Sequence, residues 1–326
     1  MPVADILGSL IGRSRAMDTL RERIERVARS PVPVLIVGET GTGKEVCAAA
    51  IAQLSGRSPY YPFNCAAVAE SLIDSELFGH ERGAFTGAVR DHSGVIAAAH
   101  GGVLFLDELP EVPAPAQAKL LRVLESGEYR PVGSKQISRS DFRVIAATNE
   151  DPDGLVARGR LRADLLHRLG AVRLMVAPLR QRIDDIPLLI DAFVHRFGSR
   201  IGQPCAGVSS EACSMLMAYH WPGNVRQLRN VVEAAVAIAG PAERVRPSHV
   251  REVLDLPLQA EPPSVRFPTL AETRRRAEEL AIEGALSETH GNREAAARLL
   301  GISEATLYRK MSTERAVPLR PGDSQV

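Results

Sequence analysis

Two short stretches of this chain carry residues whose types and spacing suit chemistry on phosphate groups. The first is Gly38-Glu39-Thr40-Gly41-Thr42-Gly43-Lys44-Glu45. It lies between the apolar run Val32 to Val37 and a helical pattern from Glu45 to about Leu54. A glycine-rich turn in a strand–turn–helix setting offers backbone N–H groups to phosphate oxygens, and its lysine meets the β- and γ-phosphates of a nucleotide. Gly38, Glu39, Thr40, Gly41, Thr42, Gly43, Lys44 and Glu45 are therefore candidate nucleotide ligands. The residue after such a lysine is usually Ser or Thr, whose hydroxyl binds magnesium. Glu45 stands there instead and shifts magnesium binding toward Asp107 and water.

The second stretch is Gly101-Gly102-Val103-Leu104-Phe105-Leu106-Asp107-Glu108, an apolar strand pattern that ends on two carboxylates. In a parallel sheet such a strand end lies beside the phosphate loop. Asp107 suits Mg2+, and Glu108 suits a base that orients and deprotonates water. An acidic pair can also be a solvated strand cap; the phosphate loop upstream tips the reading toward catalysis. Asn149, after the run Phe142 to Ala147, could meet the γ-phosphate or the water. Asn64, within Tyr61 to Cys65, could hold the Glu108 carboxylate. Either asparagine could instead be an ordinary turn residue, the reading that the sequence alone favours.

The elements needed to position these groups follow from the apolar pattern. Helix is predicted from Arg13 to Arg29, and strands at Val32–Val37, Tyr61–Cys65, Val103–Leu106, Phe142–Ala147 and Val172–Val176, mostly separated by helical segments. Such alternation implies an α/β fold with a parallel sheet covered on both faces. After Pro178 only helices are predicted, near Ile186–Phe197, Ser210–Tyr219, Val225–Ala239 and Ser248–Leu254. Pro257, Pro262, Pro263 and Pro268 mark a stiff linker. The expected domains are 1–179 (nucleotide-binding), 180–255 (helical), 256–268 (linker) and 269–326 (helical tail, disordered from Pro318).

Composition excludes several classes. The chain has 326 residues, 45% hydrophobic and 24% charged, with a net charge of +1, as in soluble globular proteins. No apolar run approaches transmembrane length and no signal peptide is evident, so a cytoplasmic protein without a membrane partner is expected. Cys47, Cys65, Cys205 and Cys213 lack metal-type spacing and read as reduced thiols. Between the two phosphate-chemistry stretches lies Gly83-Ala84-Phe85-Thr86-Gly87-Ala88. Glycines and alanines around one aromatic cannot build a packed element. A mobile loop carrying Phe85 and Thr86 outward is expected, the alternative being a surface turn with Phe85 folded back.

Taken together these residues, with Glu76-Leu77-Phe78-Gly79-His80-Glu81-Arg82 leading into Gly83, resemble the bacterial enhancer-binding proteins, the AAA+ ATPases that activate sigma-54 RNA polymerase. The resemblance spans about Leu7 to Met311. It implies an AAA+ P-loop sheet with a helical lid, binding ATP and Mg2+. Glu45 is also the family's habit. The resemblance further implies that Gly83, Ala84, Phe85, Thr86, Gly87 and Ala88 touch sigma-54, that Asn149 senses the γ-phosphate and that Asn64 latches Glu108. Arg162 and Arg168, in Leu161-Arg162-Ala163-Asp164-Leu165-Leu166-His167-Arg168, match fingers that reach a neighbour's nucleotide. They depart slightly from the family in Leu161 and in the residues before Arg168; both could instead pair with Asp164. Trp221-Pro222-Gly223-Asn224-Val225-Arg226 matches the second sensor, with Arg226 facing nucleotide and Trp221 in the lid core. Fingers acting in trans imply a homo-oligomeric ring, a hexamer.

Asn292 to Ser303 reads as a helix, a glycine turn and a serine N-cap, with Glu304 to Met311 a second helix. Ala296, Leu299, Leu300, Ile302, Leu307 and Met311 should hold the pair together. This tail resembles the family's Fis-type helix-turn-helix domain, with Thr306, Tyr308, Arg309 and Lys310 as candidate contacts to enhancer DNA. Ten basic and nine acidic residues between Ser264 and Val326 make a weak electrostatic footprint, so several tails acting together would supply affinity. The family often carries a regulatory domain before the ATPase. None fits here, leaving control by a separate regulatory protein, control by expression level, or a fragmentary chain. The competing readings are an AAA+ unfoldase and a DNA-binding regulator that uses nucleotide only to assemble.

Overall fold

The computed structural model describes residues 3–201, 206–255, 274, 280–282, 284–289 and 291–312. The expected linker, the segment beyond residue 312 and Cys205 lie outside them. The strands are β1 Val34–Val37, β2 Tyr60–Asn64, β3 Val103–Asp107, β4 Glu128–Tyr129, β5 Ser138–Arg139, β6 Arg143–Thr148 and β7 Val172–Met175. Five of them form a parallel sheet in the order β2-β3-β6-β1-β7, while β4 and β5 pair antiparallel as a separate hairpin.

The central strands read as unbroken apolar runs because both sheet faces are covered. Their side chains nonetheless alternate between two cores. Leu35, Val37, Leu104, Leu106, Val144 and Ala146 enter one, with Ile73, Leu77 and Phe78. Val34, Ile36, Val103, Phe105, Ile145 and Ala147 enter the other, with Ile24, Ile51 and Leu174. Arg143 is the polar exception, buried at the start of β6. Its guanidinium donates to the carbonyls of Ala28 (2.8 Å), Val27 (2.8 Å) and Val32 (3.3 Å), which tie down the end of helix Arg15–Ala28.

Several element ends differ from the sequence expectation for local reasons. Helix Arg15–Ala28 starts two residues late because Ser14 caps it, accepting from Met17 N–H. Strand β2 stops at Asn64, whose side chain accepts from Ala66 N–H at 2.9 Å and opens a short turn at Cys65. The β4–β5 hairpin has two-residue strands, too short to show a period.

Register decides what the sheet delivers. Asn64 stands opposite Asp107, and Val37 opposite Thr148. The ends of β1, β2, β3 and β6 therefore meet at one sheet edge. The phosphate loop leaves β1, Asn149 follows β6, and Glu108 follows β3 at that edge.

Beyond β7, helices Ile186–Ile201, Ser210–Ala218, Asn224–Ala239 and Pro247–Leu254 surround their own core. Trp221 is fully buried there, as expected, and donates from Nε1 to Leu216 O at 2.7 Å. The C-terminal unit is a separate body with helices Arg293–Leu299 and Glu304–Ser312. Ile282, Ala285, Ala296, Ala297 and Leu307 form its core. Leu299 does not join it, being 60% exposed. At 100° per residue it sits about a quarter turn from the inward arc centred on Ala296, Ala297 and Leu300. The side chain of Met311 lies outside the described residues. Cys47 and Cys65 are free and buried, and burial pushes both thiols up to about 12. Among the described residues no helix is long and apolar enough to cross a membrane.

Candidate active site

The phosphate loop is held from below and from the lid. Lys44, buried at the start of helix Lys44–Ser55, donates from Nζ to Gly38 O at 2.8 Å and Glu39 O at 3.4 Å. Burial lowers its pKa, while Glu108 and Asp107 work to keep it charged. From the lid, Asn224 enters fully buried. Its Nδ2 donates to Glu39 Oε2 and Thr40 O, both at 3.1 Å, and its Oδ1 accepts from Leu179 N–H at 2.8 Å. Arg180 grips Glu39 with a two-pronged ion pair at 2.6 and 2.7 Å. These partners hold the Glu39 carboxyl down at about 2, the Arg180 hydrogen bond contributing most.

Two further lid contacts complete the clamp. Arg226 N–H donates to Gly41 O at 3.2 Å. Arg182, also buried, donates to Thr42 O at 2.8 Å. Gly41 has φ +78°, and a Cβ there would collide with Gly223 O. A glycine is required at that position both by its backbone angle and by the close approach of the lid.

Above the loop opens a cleft of ≈ 250 Å³, lined on its polar side by Thr40, Lys44, Asp107, Glu108 and Arg226, and elsewhere by Leu10, Ile11, Leu20, Leu189 and Phe193. Glu108 occupies the left-handed region (φ +53°, ψ +52°), which turns the chain sharply from β3 into Leu109–Glu111. Its N–H donates to Asp107 Oδ1 at 3.1 Å. Burial raises the Glu108 pKa, Lys44 opposes that rise, and Asp107 and Glu111 add to it. A carboxylate made more basic beside a buried lysine is suited to receiving a proton.

The asparagines and arginines are placed as follows. Asn149 donates from Nδ2 to Thr40 Oγ1 at 3.3 Å, joining the end of β6 to the phosphate loop. Asn64 spends its side-chain oxygen on Ala66 N–H, and no hydrogen bond to Glu108 accompanies it among the described residues. Arg162 is paired within its own chain, to Asp164 at 3.1 and 2.8 Å. Arg168 donates to Leu124 O at 3.3 and 2.8 Å rather than to Asp164. Both arginines are exposed and neither lines this cleft.

The 83–88 segment is a closed hairpin. Gly83 N–H donates to Ala88 O (2.9 Å) and Ala88 N–H to Phe85 O (3.0 Å). Below it His80 and His92 exchange two N–H···O bonds (3.0 and 2.9 Å), and Val132 ties in through Glu81 N–H (3.1 Å) and Gly79 O (2.8 Å). Phe85 does not stand outward. It rests edge-on against His80 with ring centroids 5.0 Å apart, leaving 37% of it exposed, while Thr86 is exposed. An isolated aromatic finds the nearest ring of its own neck when nothing else covers it. Gly87 at φ +106° allows the tight return.

In the C-terminal unit Ser303 caps the second helix, accepting from Thr306 N–H at 3.3 Å. Thr306 is half-buried, and its hydroxyl is 2.7 Å from that of Ser303. Tyr308 is exposed, with the Arg293 guanidinium 5.3 Å from its ring centre. Arg309 is exposed on the same helix. The Lys310 side chain lies outside the described residues.

Sequence reasoning missed the clamp residues Arg180, Arg182 and Asn224. The signal in the sequence is slight: a polar residue at a helix start, Asn224, and two arginines close after the last strand.

The parallel sheet, phosphate loop and lid are those of an AAA+ ATPase. Residues 10–175 match the sigma-54 interaction domain, 180–264 the AAA+ ATPase lid domain and 273–312 the bacterial regulatory protein Fis family. The chain is 43% identical over 308 residues to the transcriptional regulatory protein ZraR of Escherichia coli (strain K12), covering 93% of this chain and 68% of that protein. It is 40% identical over 309 residues to the regulatory protein AtoC of the same organism, covering 93% and 67%. Among solved structures, NtrX from Brucella abortus in complex with ATP matches with a TM-score of 0.68 at 32% identity, covering 94% of this chain and 69% of that one. RuvB from Thermotoga maritima shares the fold alone, with a TM-score of 0.51 at 17% identity over 97% and 92%. The chain belongs to the sigma-54-dependent transcriptional regulators, AAA+ ATPases with a Fis-type helix-turn-helix.

Proposed function

We propose that this protein binds enhancer DNA through its C-terminal helices and hydrolyses ATP as a homo-oligomeric ring, a hexamer, to convert the closed sigma-54 RNA polymerase complex into the open one. The observation that carries the reading is the convergence of Lys44, Asp107, Glu108 and Arg226 on one cleft, in a chain that also bears the exposed 83–88 hairpin. ATP would lie with its phosphates on residues 38–45 and its base toward Leu10, Ile11 and Phe193. Glu108 receives a proton from the attacking water, Asn149 marks the γ-phosphate end, and Arg226 meets the phosphates from the lid. Asn64 exchanges its turn contact for the Glu108 carboxylate when the motor is disengaged. Arg162 and Arg168 leave their partners in their own chain and serve the neighbour's phosphates. An always-charged, planar guanidinium is suited to that role.

The donor set fits magnesium. Among the described residues no three His, Cys, Asp or Glu side chains gather as a cage. Mg2+ takes one or two carboxylates, waters and substrate phosphates rather than an all-protein cage. Asp107 would hold it, and the ion would supply charge neutralisation at the β- and γ-phosphates.

Gly83 to Ala88 form the contact to sigma-54, with Phe85 leaving His80 and Thr86 beside it. Thr306, Tyr308, Arg309 and Lys310 face DNA, and the protein works in the cytoplasm. A separate regulatory protein is a further partner under this reading. Transcription from a sigma-54 promoter in vitro tests the whole. Open complexes are expected with ATP and not with a non-hydrolysable analogue. Opening that is equal with both, or absent with ATP, overturns the proposal.

A further inference from the structure

Gln117 is a buried polar side chain that no step above uses. It lies in the first turn of helix Ala114–Ser126 and is 1% exposed. Its Nε2 donates to Val112 O and to Arg160 O, both at 2.8 Å, and its Oε1 accepts from Arg162 N–H at 2.9 Å. The amide orientation is fixed, because a flip would set its oxygen against two carbonyls. Val112 directly follows the turn that begins at Glu108. Arg160 and Arg162 flank Leu161, itself buried, in the segment that leads into helix Ala163–Leu169.

A second link runs in parallel at the surface. Arg160 pairs with Glu111 at 2.6 Å and with Glu150 at 2.7 Å, and Arg158 also pairs with Glu150 at 2.6 Å. Glu150 adjoins Asn149, which touches the phosphate loop through Thr40. Both elements that face the γ-phosphate end of the cleft, the acid turn and the end of β6, therefore converge on residues 160–162. The Gln117 amide, itself buried, ties the two sides by direct hydrogen bonds. Burial of that side chain limits competition from water, and losing it takes a partner from two carbonyls and an N–H.

We propose that Gln117 is a positioning residue that carries the state of one protomer's acid turn to the arginine which that protomer offers its neighbour. The inference rests on the reading of Arg162 as a trans-acting group. It makes Gln117 matter on the donating side of an interface, not on the hydrolysing side.

Mixed rings separate the two sides. Glu108→Gln protein cannot hydrolyse but still donates Arg162; Arg162→Ala protein keeps a complete cleft but cannot donate that arginine. Mixing the two should restore ATPase activity that neither has alone. Gln117→Met added to the Glu108→Gln donor should cut the restored rate about tenfold, as misplacement by an ångström can do. The same change in the Arg162→Ala acceptor should leave the rate within about twofold. A merely structural role would lower both equally. Equal loss on both sides, or none on the donor side, overturns the inference. If the two parent proteins fail to complement, the trans role of Arg162 falls and the inference with it. Should Gln117→Met melt well below its parent, Gln117→Leu replaces it, since it sets no oxygen against the two carbonyls. That variant on the donor should give the same loss, and a rate equal to the parent overturns the inference.

Discussion

The phosphate loop and the 83–88 hairpin lie in the same domain and are held in opposite ways. The loop is gripped by its own lysine and by side chains far away in sequence. Asn224 uses both ends of its amide, Arg180 grips Glu39 with two prongs, and Lys44 and Arg182 close on backbone carbonyls. The hairpin is closed by its own backbone bonds and one ring contact to His80. Asn224, buried with both ends of its amide partnered, has one low-energy arrangement, because any other leaves a group unpaired. A tip with exposed residues and one aromatic contact forfeits little by moving. The chemistry is locked in place and the tip is left free to change partner.

That contrast can be broken by experiment. The largest effect is expected at the cleft. Glu108→Gln should reduce ATP turnover by about 10²–10⁴-fold, with ATP affinity kept within a fewfold. Phosphate release and calorimetric titration measure the two, and a retained turnover removes Glu108 as base. Asn224→Ala comes next. It strands the Leu179 N–H and removes one of the lid's holds on Glu39 and Thr40, and should destabilise the protein by about 1–3 kcal/mol. Denaturant unfolding reads this; an unchanged midpoint would mean the lid does not depend on the clamp.

A smaller effect concerns acid. Glu39 is held at about 2 against an ordinary 4.5, so its native state favours the ionised form. The stability it contributes is full above about 4.5 and fades as pH falls through about 2. Glu39 and Arg180 remain partly in solvent, which limits the contribution to about 1 kcal/mol. Unfolding curves between pH 5 and pH 2 should slope less for Glu39→Gln than for the native chain. The smallest change in stability belongs to the hairpin. Phe85→Leu should shift it by less than about 0.5 kcal/mol and leave ATPase intact while open-complex formation fails. A large loss of stability would show that the tip is part of the core and erase the contrast.

The parts legible in the sequence were those whose cause is local. The phosphate loop, the Asp107-Glu108 strand end and the buried Trp221 each announce themselves within a dozen residues, through glycine angles or an apolar run. The Phe85 tip was legible as a loop, but its resting place was not. Whether an exposed ring stands out or lies down depends on His80, whose backbone is held by its two bonds to His92. For Asn64 the residues favour a turn and the family resemblance implies a latch; in this state it caps its own turn, the nearer option for a short polar side chain. Leu299 was counted as core because residue type does not reveal which arc of a short helix faces inward.

The order of local structure along the chain, strand, glycine turn, helix and acidic strand end, was determined by the sequence alone, because backbone preference and apolar period act over a few neighbours. Only the tertiary structure decided which side chains meet across large separations. Glu39 and Arg180 are 141 residues apart, Glu39 and Asn224 are 185 apart, and no periodicity couples positions so distant. Those meetings are fixed by the register of five parallel strands and by the packing of the lid on their edge. That is where the phosphate loop acquires its shape.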